Sequence, residues 1–322
     1  MASVSRALNG TGVVTEEIRK RVFEVATRLQ YVPNSGAQSL MTRRTRVIGV
    51  LLPDLQGEYF AELIRGIDVA ARARRLHLLI STSHTGTEEA SEALRAMIGR
   101  VDGLVVMAPH VDVDSLQRRL QGPLPVVLVS TVDADHTHSC VYVDNAAGAS
   151  AMVRHLASCG HRVIAHIAGT TANVDAQERL RGYRDALARE CPGIDEYVLE
   201  GNFTEDSGYR AGREILARAR RPDAIFAAND MMAIGCLNAL LEAGLQVPRD
   251  IALAGFDDIP TARFISPPLT TVRVRIADLG CRALELLAAA IDQPKETQPS
   301  TEVVPAELVI RASCGSGELR NK

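Results

Sequence analysis

From Val47 onward, short apolar runs alternate with stretches in which apolar residues recur at helical spacing. The runs Val47–Leu52, Leu76–Ser81, Gly103–Met107, Val126–Ser130, Val163–Ala168, Ala224–Ala227 and Ile251–Gly255 lack polar alternation. Each therefore predicts a strand buried on both faces of a parallel sheet. Between them, Phe60, Leu63, Ile64, Ile67 and Ala71 fall on one face of a helix. Ala233, Leu237, Leu240 and Leu241 do the same further along. Strand–helix–strand units repeated this often imply doubly wound α/β layers. A second series of such units begins near Asp144–Ser150, which predicts two lobes.

Residues 1–46 have another pattern, with no strand and two helical stretches. Thr15 ahead of Glu16 and Glu17 reads as an N-cap followed by an acidic first turn. Ile18, Val22, Val25 and Leu29 then line one face. Asn9-Gly10 and Gly12 mark the turn before this helix, and Tyr31-Val32-Pro33-Asn34 stops it. The stop is steric, since proline keeps the residue ahead of it out of the α region. In the first stretch, Val4 and Leu8 share a face suited to packing inward, leaving Met1, Ala2, Ser5 and Arg6 to point outward.

Composition changes the picture in three places. The 322 residues, 46% hydrophobic and 23% charged, suit a soluble globular chain with about two packed units. Net charge is only −3, yet residues 1–46 carry eight arginines and lysines against three glutamates. A basic end on an acidic body fits a nucleic-acid-facing tip, and equally a solvated helix face. The six cysteines lie far apart, with no CxxC and no histidine read at ligand spacing. That spacing argues against a disulfide framework and a zinc site, so no metal and no other cofactor is expected. With no run of 18 apolar residues and no charged-then-apolar start, a cytoplasmic protein without a membrane partner is expected.

The N-terminal motifs narrow the reading. Met1-Ala2-Ser3-Val4-Ser5-Arg6-Ala7-Leu8-Asn9-Gly10 resembles the recognition helix of LacI/GalR regulators, T-V-S-R-x-L-N-G. Leu29-Gln30-Tyr31-Val32-Pro33-Asn34 is similar to that family's L-x-Y-x-P-N, and Ala37-Gln38-Ser39-Leu40 to its hinge A-x-x-L. The resemblance implies a partial helix-turn-helix head at 1–34, lacking the family's first helix, and a hinge at 35–46. Met1 would then correspond to an internal methionine of a longer frame. Within the head, Met1, Ala2 and Arg6 would touch base edges, arginine because its planar fork matches guanine. Ser3 and Ser5 would bond phosphate. Asn34 and Ala37 would add hinge contacts, and Leu40 would wedge into the minor groove.

The rest of the chain resembles the type I periplasmic-binding-protein fold that the same family uses to bind effectors. The marks are Tyr142-Val143-Asp144-Asn145, Arg179-Leu180-Arg181-Gly182-Tyr183, Ala228-Asn229-Asp230, Gly255-Phe256-Asp257-Asp258 and Pro268-Leu269-Thr270-Thr271. This implies an effector-binding and dimerisation domain at 47–312, with a tail at 313–322. Lobe 1 would take 47–147 and 275–302, and lobe 2 would take 148–274 and 303–312. By the same resemblance, Arg179 and Asp257 would hold the effector's polar groups, with Asn229 as donor and acceptor. Tyr59, Phe60 and Phe203 match the pocket aromatics of the family's purine-sensing branch, and Tyr59 and Phe60 read equally as a core-capping pair. Asp54, Ser130, Asn173 and Asp175 would stand at strand ends around the same cleft. Asn173 occupies the place of an arginine in that branch, which argues against a purine carbonyl.

The expectation is a homodimeric, ligand-responsive repressor binding operator DNA and sensing a sugar, sugar phosphate or nucleoside. The alternatives are a sensor of the same fold that has lost DNA binding and a periplasmic-type sugar-binding protein. An enzyme is not expected: no GxGxxG follows Val47–Leu52, and GxxxxGK[ST], GxSxG and HExxH are missing from the sequence.

Overall fold

The computed structural model describes residues 4, 7, 14–31, 44–83, 87–109, 124–131, 137–293 and 298–315. The chain divides into two compact units, Met1–Arg46 and Val47–Lys322.

In the first unit, helix α1 spans Glu16–Arg28. Thr15 stands at its N-cap in extended conformation, but its hydroxyl caps nothing; Glu16 and Glu17 supply the acidic first turn. No residue of α1 is buried. Ile18, Phe23, Val25 and Leu29 are all exposed, so its apolar face has no cover among the described residues. Val4, expected to face inward, is half exposed, and Ala7 takes the buried position instead. Met1, Ala2, Ser3, Ser5, Arg6, Asn34, Ala37 and Leu40 lie outside the described residues.

The second unit contains β1 (Val47–Leu52), α2 (Glu58–Ala73), β2 (His77–Thr82), α3 (Thr87–Met97), β3 (Gly103–Val106), β4 (Val126–Val129) and β5 (Ser139–Val143). There follow α4 (Asn145–Ser158), β6 (Ile164–Ile167), α5 (Val174–Glu190), β7 (Tyr197–Leu199), α6 (Glu205–Ala217), β8 (Ala224–Ala227), α7 (Asp230–Glu242) and β9 (Ala252–Asp257). The chain ends with β10 (Thr270–Arg273), α8 (Ile276–Asp292), β11 (Thr301–Val304), β12 (Glu307–Val309) and a 3-10 turn at Ala312–Cys314.

Among the described residues two six-stranded sheets form, in the orders β11-β5-β4-β3-β1-β2 and β12-β10-β9-β8-β6-β7. Every pairing is parallel except β10 with β12. β3, β6 and β8 are buried at every position, as expected of strands with helices on both faces. The apolar runs correspond to β1–β4, β6, β8 and β9. β5, β7, β10, β11 and β12 are not expected from the sequence: β7 and β12 have only three residues, β11 alternates exposure at a sheet edge, and β5 and β10 carry polar residues such as Ser139, Tyr142, Thr270 and Thr271.

The lobe limits differ slightly from expectation. Helix α4 already packs on α5 of the second lobe from Asn145 onward. The first lobe keeps its last strand to Val304, because β11 pairs with β5. Gly182 shows how tightly α4 and α5 meet: a Cβ there would collide with the Ala146 carbonyl. No described helix is long and apolar enough to cross a membrane.

Candidate functional site

In each sheet the strand order reverses beside the first strand of its lobe, between β1 and β3 and between β6 and β8. Loops leaving the C-terminal ends of strands diverge at such a point and open a crevice. Pro53, Asp54 and Met107 follow β1 and β3; Thr170, Phe203 and Asn229 follow β6, β7 and β8; Asp257 ends β9. With Tyr59, Phe60, Asn173, Asp175 and Arg179 they line one cavity of roughly 420 Å³.

Arg179 is its centre. Its side chain is 4% exposed and each of its three nitrogens faces a protein partner. Nε donates to Asn145 Oδ1 at 2.8 Å, and Nη1 to the Ala228 carbonyl at 2.5 Å. Nη2 stands 3.1 Å from Asp257 Oδ1, near enough for charge pairing but off line for a hydrogen bond. The guanidinium lies 3.9 Å from the centre of the Phe256 ring, a desolvated cation–π contact. Asn145, whose Oδ1 takes the Arg179 Nε proton, donates from Nδ2 to Asp175 Oδ1 at 2.8 Å. Asp175, Asn145, Arg179 and Asp257 thus form one buried chain of polar contacts.

The network contains two carboxyl groups, Asp175 and Asp257, against the one guanidinium of Arg179. Burial pushes the Asp257 carboxyl up to about 7, opposed by Arg179 and reinforced by Asp175. Burial also raises the Asp175 carboxyl, opposed first by Arg179. The Tyr59 phenol is raised by burial and then by Asp175 and Asp257, which keeps it a neutral donor across the cleft from those carboxyls. The Ser130 hydroxyl adjoins Tyr59 and Asp175 without a well-aligned bond to either.

Backbone strain is concentrated here. Ser130, Phe203 and Asp257 have φ of 47°, 69° and 110°, in the region that side-chain-bearing residues avoid. Such residues cost of order 1–3 kcal/mol each and persist where surrounding structure fixes them. For Asp257 the clamp is Asp230, fully buried at the start of α7. Asp230 accepts from the Ile259 amide at 2.9 Å and from Thr271 Oγ1 at 2.6 Å, and burial raises its own pKa well above the carboxylate range. Gly255 is required beside it, since a Cβ would meet Asp230 Oδ1.

Nine of the ten effector residues expected from sequence line the cavity; the tenth, Ser130, stands beside it. Several of them also have partners within the protein. Asn229 caps α7 through Met232 N and donates to the Phe203 carbonyl, so both of its polar groups hold protein. Asn173 likewise caps α5 through Ala176 N. Asp54 is exposed and folds its own turn, accepting from Leu55 N and Gln56 N. The Arg179–Asp257 pair is buried, not a surface ion pair. Asn145 and Asp230 were missed as site residues. Asn145 sits in the Tyr142-Val143-Asp144-Asn145 motif, but nothing in the sequence shows that it reaches thirty-four positions to Arg179.

Among the described residues, five buried polar side-chain atoms lack a hydrogen-bond partner, and three belong to this region: Ser130 Oγ, Thr170 Oγ1 and Asp257 Oδ1. Buried polar atoms are nearly always satisfied, so these two hydroxyls and one carboxylate oxygen keep hydrogen-bonding capacity that a polar molecule could use. Tyr59 and Phe60, edge to face with centroids 5.6 Å apart, supply an apolar surface opposite.

Residues 1–34 match the family of bacterial regulatory proteins called lacI, and residues 153–314 match a periplasmic binding protein-like domain. Catabolite control protein A of Priestia megaterium is 33% identical over 317 residues, covering 97% of this chain and 95% of its own. The transcriptional repressor PurR of Edwardsiella ictaluri is 34% identical over 322 residues, with 98% and 93% covered. The lac repressor dimer bound to operator and the anti-inducer ONPF superposes with a TM-score of 0.87 at 26% identity, covering 97% of this chain and 94% of that one. The regulator CelR in complex with cellobiose gives 0.76 at 32% identity, with 97% and 95% covered.

Proposed function

The chain belongs to the lacI family of bacterial regulatory proteins, and from that premise we propose that it is a DNA-binding repressor whose operator affinity is set by a small polyhydroxylated effector in the cleft between its lobes. The observation that carries this reading is the set of unsatisfied polar atoms around Arg179 and Asp257, facing aromatic rings. Sugar hydroxyls donate to carboxylates and accept from hydroxyls, while the apolar face of a pyranose or furanose stacks on aromatic rings. Buried carboxyls outnumber the buried guanidinium, and that guanidinium is already committed to Asn145, Ala228 and Asp257. A neutral sugar or nucleoside therefore fits better than a sugar phosphate, whose dianion would meet Asp175 and Asp257 with no second cation among the described lining residues.

Cellobiose in CelR and ribose in another lacI-family regulator are consistent with that class. Operator and dimer appear together in the lac repressor structure, and we assign this chain the same assembly: a homodimer on a roughly palindromic site. In the head, Arg6 reads base edges and Leu40 opens a minor-groove step, with Met1, Ala2, Ser3, Ser5, Asn34 and Ala37 completing the contact. Domain limits of 1–34, 35–46 and 47–312 follow from this assignment. The protein works in the cytoplasm, where its operator is, and no catalytic role is proposed.

The test joins both ends. A thermal-shift screen of neutral pentoses, hexoses, disaccharides and nucleosides should find a compound that raises the melting temperature. That compound should also change the affinity of the protein for its own promoter DNA in a mobility-shift titration. By linkage the DNA then alters the compound's affinity by the same factor. A compound that binds the cleft and leaves DNA affinity untouched refutes the coupling.

A further inference from the structure

Away from the cleft, the C-terminal end of α4 meets the 3-10 turn Ala312–Cys314 in a cluster of sulfur and imidazole. His155 Nε2 is 3.3 Å from Cys314 Sγ and 3.7 Å from Cys159 Sγ. The two thiols also act on each other: after burial, Cys314 is the next cause raising the Cys159 thiol. His161 fixes the other side, its Nε2 lying 3.1 Å from the Cys314 carbonyl. His155 and Cys159 are four residues apart, a full turn of helix, a spacing that the linear reading of the cysteines overlooked. His155 is half-buried. A chain distance of 155 residues separates Cys159 from Cys314. No group of three His, Cys, Asp or Glu side chains among the described residues is arranged to hold a metal ion, so the chemistry open to this cluster is that of a thiol pair.

Access divides the two sulfurs. Cys159, at the C-cap of α4, is partly exposed, between the exposed Ser158 and Gly160. Cys314 is wholly buried. We propose that Cys159 and Cys314 form an oxidant-sensitive dithiol, in which a peroxide converts the pair to a disulfide and His155 serves as the local proton acceptor. The Cys159 sulfur attacks one peroxide oxygen; the S–O bond forms, the O–O bond breaks, and the departing oxygen leaves as water with the thiol proton. Cys314, giving its proton to His155, then attacks the sulfur of the Cys159 sulfenic acid. The S–S bond forms, the S–O bond breaks, and a second water leaves with the proton carried by His155. Two thiols are oxidised and one peroxide is reduced to two waters. The bond ties the C-terminal turn to α4, the helix whose first residue is Asn145.

The full chain is reduced, freed of reductant and treated with hydrogen peroxide. Its intact mass should fall by two hydrogen atoms, and proteolysis should release a reducible peptide pair joining residue 159 to residue 314. Cys159→Ser and Cys314→Ser should each abolish that pair, whereas Cys236→Ser, at a buried cysteine in α7, should leave it. His155→Gln should slow its appearance several-fold. Oxidised wild-type protein, folded by circular dichroism, in which iodoacetamide still labels both thiols overturns the proposal. So does a cross-link from Cys159 to Cys191, or stable sulfinic acid at Cys159 without any cross-link. An unchanged rate in His155→Gln overturns the role of the imidazole.

Discussion

The two walls of the cleft are built on different principles. The first-lobe wall, from Pro53 to Phe60 with Met107, is largely apolar, and its rings are only half-buried. The second-lobe wall is a buried charged network, Asp175–Asn145–Arg179–Asp257, fixed to the Ala228 backbone and braced by Asp230. The contrast separates two kinds of residue. Side chains of the second wall are part of the fold that they serve, so altering them disturbs stability and recognition together. Those of the first wall rest on the fold, so they can be altered for recognition alone.

Arg179→Ala tests the contrast most severely. It strips the buried carboxyls of Asp175 and Asp257 of their cation, and loss of one partner from a buried pair costs about 3–5 kcal/mol. Denaturant unfolding should show that loss, and the effector-induced thermal shift should disappear with it. A variant of wild-type stability would mean that the network does not hold the second wall.

Asp257→Asn comes next, and pH sharpens it. The folded-state pKa of Asp257 is raised from 3.8 to about 7. The folded protein thus holds this proton more tightly than the unfolded chain, so the contribution is fully present below about pH 4 and is lost as pH rises through about 7. Stability of wild type minus that of Asp257→Asn should fall across that window, by on the order of 4 kcal/mol. Effector hydroxyls that donate to the ionised carboxylate should bind more tightly at pH 8 than at pH 6, a trend that the asparagine variant lacks. His166 pulls the other way: its pKa is lowered from 6.5 to about 3 by burial, so its contribution is present above about 6.5 and is lost as pH falls toward 3. Comparing variant with parent at each pH cancels that background.

On the opposite wall, Tyr59→Ala and Phe60→Ala should each weaken effector binding by about 1–2 kcal/mol in isothermal titration, with unfolding free energy changed by less than about 1 kcal/mol. Equal losses of stability and binding would erase the distinction between the walls. The smallest effect belongs to Thr261→Val. Glu58 at the start of α2 accepts from both the amide and the hydroxyl of Thr261, joining one lobe to the other beside the cleft. Valine removes only the hydroxyl bond, and effector affinity should move by less than about 1.5 kcal/mol.

Much of this was legible in the sequence, for identifiable reasons. Strands such as Gly103–Val106 are buried on both faces, so they have to be apolar throughout and show plainly in the sequence. β12, three residues with an exposed start, leaves no such mark. Arg179 and Asp257 stand in recognisable motifs and could be named in advance. Asn229, in an equally recognisable motif, also caps a helix, a role the motif did not show, because an asparagine at a helix start bonds the groups nearest to it, here Met232 N and Phe203 O. His155, Cys159 and Cys314 were legible only in part: helix periodicity joins the first two, and nothing local brings in the third.

Sequence by itself determined the periodicities, and through them the alternation of strand and helix, the two lobes and the family. These are properties of neighbouring residues, set by local geometry and by which face meets water. Only the tertiary structure decided that Asn145 joins Asp175 to Arg179, that Asp230 braces a strained Asp257, and that three polar atoms near one cavity lack partners. Contacts between distant residues depend on how helices and sheets dock to within an ångström, and docking is settled by the packing of the whole core.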